Sequence, residues 1–335
     1  MEKKNIKNSL QILANISQNK KVKCVAAGAG VVAGILTGAY AAYKYVFHFV
    51  DKRDENDIML PKGEQYDPMH EKMYSLVREM QAIPYEQVYI TSFDGTKLAG
   101  KYYHISDDAP LQIQFHGYHG TGLRDFCGGH KIAREMGHNI LVIDERAHGK
   151  SEGRTITFGV LERYDCLSWV KYVNERFGTE QPIFLVGVSM GAATVLMASE
   201  LDLPENVAGI IADCPYSSPV AIIRKVGKDM KLPPNLLWPF VWTGARLFGH
   251  FKVTKSSAVE AVKNTNIPIL LIHGDDDKFV PCDMSQEIYE ACASEKMLVT
   301  IPGAGHAVSC LVDWEKYESA VQEFIGKCLS KEGTE

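Results

Sequence analysis

Residues 182–200 read PIFLVGVSMGAATVLMASE. The segment opens on a short apolar run, passes through Gly187-Val188-Ser189-Met190-Gly191, and continues into a run of helix formers. An apolar run of this length bounded by proline and glycine predicts a buried strand, and AATVLMASE predicts a helix behind it. A serine at so sharp a strand-to-helix turn has its hydroxyl pushed out at the end of the sheet. Glycines on either side relieve the clash that the turn would otherwise make. The first N–H groups of the helix face any negative charge that develops at the serine. Ser189 is therefore the candidate nucleophile, with Gly187 and Gly191 as its turn residues. The competing reading is a glycine turn with an incidental serine.

Similar apolar runs flank this one: LQIQFHG (111–117), NILVIDE (139–145), VAGIIADCP (207–215), IPILLIHGD (267–275) and MLVTIPG (297–303). Helix-length stretches separate several of them, including 124–137 and 158–178. Apolar strands alternating with helices argue for an α/β fold with a mostly parallel sheet covered on both faces. QVYITS (87–92) and KLAGKYYHI (97–105), joined through Asp94-Gly95, predict an antiparallel hairpin that makes the sheet mixed. Residues 216–258, rich in Leu, Trp, Phe and Pro, break the rhythm and are expected to form a helical lid over the carboxyl edge. The whole α/β domain is expected over 85–329, with a polar tail at 330–335.

Two further loops carry chemistry. Asp275-Asp276-Asp277 follows one strand and Gly305-His306 the next, so an acid and a histidine can converge on Ser189 in the order Ser, Asp, His. Imidazole titrates near neutral pH, which makes His306 the candidate base; spacing leaves all three aspartates open as its partner. His273, beside them, reads as a structural hydrogen-bonding residue, and Gly274 as part of the turn. His116-Gly117-Tyr118-His119-Gly120 follows the strand LQIQF and suits an oxyanion hole. The donor is the backbone N–H of Tyr118, with His119 as rival, together with that of Met190. His116 and Gly117 would shape that turn. In the 144–153 loop, Asp144, Arg146 and Gly149 are expected to organise the scaffold, Arg146 through a bidentate pair with an acid. The alternative has Arg146 or His148 binding an acidic substrate group.

The remaining composition bounds the partners. The chain carries a net charge of -5, with 46% hydrophobic and 23% charged residues. No arginine-rich stripe is present, so no nucleic-acid partner is expected. The eight cysteines have no metal-ligand spacing and read as small hydrophobes. No metal or organic cofactor is expected. Residues 1–23 are basic, with six lysines against Glu2, and 24–46 contain the apolar run CVAAGAGVVAGILTGAYAAY. Twenty helical residues span roughly 30 Å, so 24–46 are expected to anchor the chain in a membrane. A cleaved signal or a buried helix are the alternatives. The lysines would keep the N-terminus in the cytoplasm and put the catalytic domain outside. Gly30, Gly34 and Gly38 share one helix face that would permit self-association. Residues 47–84 read as a linker with a short helix around 70–80.

Taken together, HGYHGT, DERAHGKSEGR, GVSMG, HGDDDKFVP and GAGH, in that order, resemble the conserved blocks of α/β hydrolases. The resemblance covers about 85–329 and is to those grouped with serine aminopeptidases, monoglyceride lipases and bacterial cinnamoyl-type esterases. It implies that the acid is Asp277, since H-G-x-x-D-x-x-V-P falls on His273, Gly274, Asp277, Val280 and Pro281. It likewise places D-x-R-x-x-G-x-S on Asp144, Arg146, Gly149 and Ser151; Ala147 departs from the glycine that many relatives have. Many bacterial relatives carry an N-terminal hydrophobic helix. The resemblance implies a serine hydrolase acting on a small ester or short peptide without choosing between them; the apolar residues of 216–258, which would wall the space above Ser189, favour short-to-medium acyl esters. A peptidase, a lipase or thioesterase, and a non-catalytic membrane-attached interaction protein are the alternatives.

Overall fold

In the computed structural model, residues 11, 15, 30, 32–54, 58 and 60–332 are described; most of the basic segment 1–23 and of 24–31 lies outside them. The strands are β1 (Glu86–Thr91), β2 (Lys97–Tyr103), β3 (Leu111–Phe115), β4 (Asn139–Ile143), β5 (Ile183–Val188), β6 (Val207–Asp213), β7 (Ile269–Gly274) and β8 (Lys296–Ile301). They form one sheet in the order β1-β2-β4-β3-β5-β6-β7-β8. β1 and β2 pair antiparallel, as do β2 and β4, and the pairings from β4 across to β8 are parallel.

The central strands are buried on both faces, which is why they read as continuous apolar runs. Along β5, Ile183 and Leu185 enter one core cluster with Trp169, Val170 and Ile210. Phe184, Val186 and Val188 point the other way, into a cluster with Ile211, Leu270 and Phe324. Helices cover both faces. In chain order they are α1 (32–46), α2 (His70–Gln81), α3 (Gly122–Asp125), α4 (Cys127–Glu135), α5 (Glu162–Phe177) and α6 (Met190–Ala198). α7 (Pro219–Asp229), α8 (Pro234–Leu247), α9 (Ala258–Ala261), α10 (Asp283–Ala291), α11 (Ser309–Val312) and α12 (Trp314–Glu332) follow. α12 runs to Glu332 and so takes in 330–332 of the polar tail expected at 330–335; 333–335 lie outside the described residues. α7 and α8 lie in the insertion between β6 and β7.

The N-terminal expectation requires correction. Among the described residues no helix is long and apolar enough to cross a membrane. The second half of α1 and the turn after it are committed to protein packing: Ala39, Tyr43 and Phe47 are buried. Tyr43, Phe47, Val241, Ala245 and Phe251 share one apolar cluster. The Tyr43 hydroxyl lies 2.9 Å from that of Thr155, and Tyr40 meets Phe248 edge-on at 5.1 Å. A face filled by the chain's own insertion is not available to lipid. The anchor, the membrane as partner and the topology that put the catalytic domain outside are therefore not supported.

Small residues in this run serve the helix pair instead. A Cβ on Gly38 would meet the Phe240 ring at 2.7 Å, and one on Gly244 would meet the Ala39 carbonyl oxygen at 2.5 Å. With Gly38 covered by Phe240, the Gly30, Gly34 and Gly38 stripe is not one open self-association face. Gly34 has nothing within 4 Å of its missing Cβ. Accordingly, Gly244→Leu should cost about 1–3 kcal/mol of unfolding free energy by overpacking and speed amide exchange around Tyr43. Gly34→Leu should leave both unchanged. Equal effects of the two variants in thermal melts and exchange would contradict this packing.

Candidate active site

β5 ends at Val188, and Ser189 stands at the turn into α6 with φ +55° and ψ -110°. That conformation is costly for a serine, by about 1–3 kcal/mol. It survives because β5 and α6, on either side, are wholly buried. The glycines are sterically required here. A Cβ on Gly187 would lie 2.3 Å from the Gly191 backbone, and one on Gly191 would lie 1.8 Å from the Phe115 carbonyl oxygen.

The loops after β7 and β8 come together at this turn. His306 Nε2 lies 2.9 Å from Ser189 Oγ, and His306 Nδ1 lies 2.7 Å from Asp277 Oδ2. The other Asp277 oxygen accepts the N–H groups of Phe279 and Val280 at 2.9 and 2.8 Å. Burial alone would raise the Asp277 pKa. Hydrogen bonds from His273 and His306, with the Val280 N–H, outweigh it and hold this carboxyl well below the usual range. Its neighbours do other work: Asp275 accepts the Gly303 N–H at 2.7 Å, and Asp276 faces Lys278 at the surface. His273 bridges Ser285 Oγ and the Val280 carbonyl, and a Cβ on Gly274 would strike the Ala304 carbonyl oxygen.

The loop after β3 lies against the serine, since a Cβ on Gly117 would sit 3.4 Å from that of Ser189. Gly117 donates to Asp125 Oδ2 at 2.8 Å. Its carbonyl accepts from Gly120 N–H at 2.9 Å and lies 2.9 Å from His116 Nδ1. His119 donates to His148 Nε2 at 3.2 Å, which removes its N–H from use at the serine. No hydrogen-bond partner is found for the N–H of Tyr118 or of Met190 among the described residues.

The 144–153 loop is a scaffold in this geometry. Arg146 makes a buried fork with Asp165, both contacts at 2.6 Å, and reaches Asp94 at 3.0 Å. Its guanidinium is thus occupied, and His148 is fully enclosed. His116 Nε2 accepts the Glu145 N–H at 3.1 Å and Asp144 accepts that of Lys150 at 2.9 Å. A Cβ on Gly149 would collide with the Asp144 carboxylate. Ala147 adopts φ +68°.

Several neighbours carried no sequence signal. Asp125 lies in the helix after the loop, and Gln65 Oε1 accepts the His306 N–H at 3.4 Å from the supposed linker. Cys214 Sγ, Asp277 and His306 offer ligand atoms within 4.8 Å of one another. Burial pushes the Cys214 thiol well up, so it stays protonated at neutral pH. Both His306 nitrogens already face Asp277 and Ser189, so the trio suits proton transfer better than ion binding. The other six described cysteines are also free thiols.

Comparison with known proteins agrees with this architecture. Residues 113–241 match the family described as alpha/beta hydrolase fold, and 242–310 match the serine aminopeptidase family. The chain carries the α/β-hydrolase fold. Both matches support membership of the α/β-hydrolase superfamily. The chain is 26% identical to the uncharacterized protein YqkD of Bacillus subtilis, covering 90% of this chain and 96% of that one. It is 25% identical to the lysophosphatidylserine lipase ABHD12 of Danio rerio over 56% of this chain and 49% of that one. Among solved structures, the esterase Pf2001 of Pyrococcus furiosus superposes with a TM-score of 0.58 at 25% identity, covering 74% of this chain and 94% of that one.

Asp213, at the end of β6, gives the site a pH signature. Burial pushes its carboxyl from 3.8 up to about 6, and one of its oxygens is buried without a partner. Between those values the folded state holds a proton that the unfolded state has lost. Stability therefore falls as pH rises through this window, by about 3 kcal/mol for this group. Asp213→Asn should be more stable than wild type at pH 8, with the difference vanishing near pH 4. Melting curves of the two proteins across pH 4–8 check this; parallel profiles would contradict it.

Proposed function

We propose that this protein is a serine hydrolase that cleaves carboxylic esters through an acyl-enzyme on Ser189. The observation that carries the reading is the continuous hydrogen-bonded chain from Asp277 through His306 to Ser189 Oγ. In this reading His306 Nε2 takes the hydroxyl proton as Oγ attacks the ester carbonyl, then returns it to the departing alcohol. Asp277 fixes the ring so that Nδ1 carries the other proton and stabilises the transient imidazolium. The negative oxygen of the tetrahedral intermediate is met by the N–H groups of Tyr118 and Met190. Water, activated by the same histidine, releases the acid. These groups suffice for acyl transfer to water.

Short-to-medium acyl esters suit the surroundings. Tyr118, Phe158, Met190, Tyr216, Ile222 and Val241 belong to one apolar cluster that joins the insertion to the loops around the serine. The esterase Pf2001 and the lysophosphatidylserine lipase ABHD12 among the similar proteins support ester cleavage. The serine aminopeptidase match over 242–310 favours amide cleavage as the second reading; paired assays of aminoacyl naphthylamides and p-nitrophenyl esters separate the two.

With each buried methylene contributing roughly 0.8 kcal/mol, kcat/KM over a p-nitrophenyl series should rise from acetate and peak at about four to eight carbons. Ser189→Ala should lower it by at least about a thousandfold. A profile that is flat or falls beyond acetate contradicts the apolar wall, and retained turnover in Ser189→Ala contradicts the mechanism.

A further inference from the structure

Residues 46–54, from the last residue of α1 onward, pass over the loops that follow β3 and β4 and touch both. The Val46 carbonyl accepts the Tyr118 hydroxyl at 3.1 Å. His48 bridges to Thr155. The Phe49 ring stacks on His119 at 4.0 Å, and His119 stacks in turn on Tyr118 at 3.9 Å. Arg53 then grips two successive carbonyl groups, with Nη1 donating to His119 O at 2.7 Å and Nη2 to Gly120 O at 3.0 Å. Asp51 holds the same guanidinium through Nε at 2.7 Å and through Nη2, while accepting the Gly149 N–H at 3.0 Å. We propose that this strap, through the Asp51–Arg53 pair, is a positioning element of the oxyanion loop, so that turnover depends on a segment lying before the sheet; the proposal rests on the serine-hydrolase reading above.

The argument is an accounting of the loop's peptide groups. A peptide unit is planar, so fixing its carbonyl fixes the N–H on its opposite side. Gly117 O is held by Gly120 N–H and His116, which turns the Tyr118 N–H the other way. The next N–H, of His119, is taken by His148. The His119–Gly120 peptide is tied on its N–H side to Gly117 O and on its carbonyl side to Arg53, which also holds the Gly120 carbonyl of the next peptide. Without Arg53 both carbonyls would turn to water, and the Gly117–Gly120 turn that carries the Tyr118 N–H would rest on its single backbone bond at that end. A donor displaced by about 1 Å from a developing oxyanion costs up to about a hundredfold in rate.

The pair is built for this task. The side chains of Arg53 and Asp51 are only 18% and 6% exposed, so their attraction is less screened than that of a surface pair. A planar fork can reach two carbonyls and a carboxylate at once, which an ammonium group cannot. Burial and the Arg53 charge also lower the His119 pKa to about 4, which keeps the ring between Phe49 and Tyr118 neutral at physiological pH.

The test uses the full chain with p-nitrophenyl butyrate, measuring kcat and KM separately beside a thermal melt for wild type, Arg53→Ala, Arg53→Lys and Asp51→Asn. Arg53→Ala should lose about ten- to a hundredfold in kcat with KM changed by less than about threefold. Arg53→Lys and Asp51→Asn should fall between it and wild type. If Arg53→Ala does not fold, Arg53→Lys, which keeps the charge beside Asp51 but lacks the fork, decides by the same split. Wild-type kcat in these variants, or a loss confined to KM, overturns the strap's positioning role while leaving the hydrolase reading intact. A wild type that hydrolyses no ester overturns both.

Discussion

Ser189 sits at φ +55° between a strand and a helix that are both buried along their length, and the site is arranged around that strained turn. The strain of about 1–3 kcal/mol is offset by the packing of β5 and α6, where each fully buried aliphatic side chain contributes about 1.5–3 kcal/mol. Close approach is the condition for this. Gly187, Gly191 and the Phe115 carbonyl are so near one another that no side chain fits between them. The same proximity brings the loop after β3 against the serine, and parallel pairing of β5, β6 and β7 with β8 delivers Asp277 and His306 at the same edge.

The polar groups at this edge are held from several directions. Asp277 has both oxygens occupied, by His306 on one side and two backbone N–H groups on the other. That rigidity orients the imidazole, whereas the charge network of Arg146, Asp165 and Asp94 secures the neighbouring loop without reaching the serine. Residues 46–54 and Gln65 hold the site's loops from outside the sheet, through the His119 and Gly120 carbonyls and the His306 N–H. α1 leads the chain into that position by packing on α8, where Gly38 and Gly244 permit close contact.

Strands and the serine turn were legible in the sequence because their constraints are local. Continuous apolar runs report burial on both faces, and G-x-S-x-G reports a turn that only glycine can flank. Spacing alone could not choose among Asp275, Asp276 and Asp277, since that choice depends on which carboxylate faces His306 across two loops. The apolar run at 24–46 misled for a physical reason. In its described part, 32–46, alanine, glycine and tyrosine make a helix that looks alike whether it meets lipid or the chain's own insertion, and hydropathy does not distinguish them. Arg53, Asp51 and Gln65 were illegible because they act through backbone carbonyl and N–H groups far away in sequence, from a polar stretch that has no periodicity.

The central claim is that His306, oriented by Asp277, activates Ser189. The most direct measurement is the rate of covalent labelling by a fluorophosphonate, read by intact mass and peptide mapping, for wild type, His306→Ala and Ser189→Ala. The account predicts one adduct, on Ser189, formed by the wild type, slowed by at least about a hundredfold in His306→Ala, and absent in Ser189→Ala. A folded wild type that forms no adduct, or labelling of Ser189 at the same rate without His306, would contradict it.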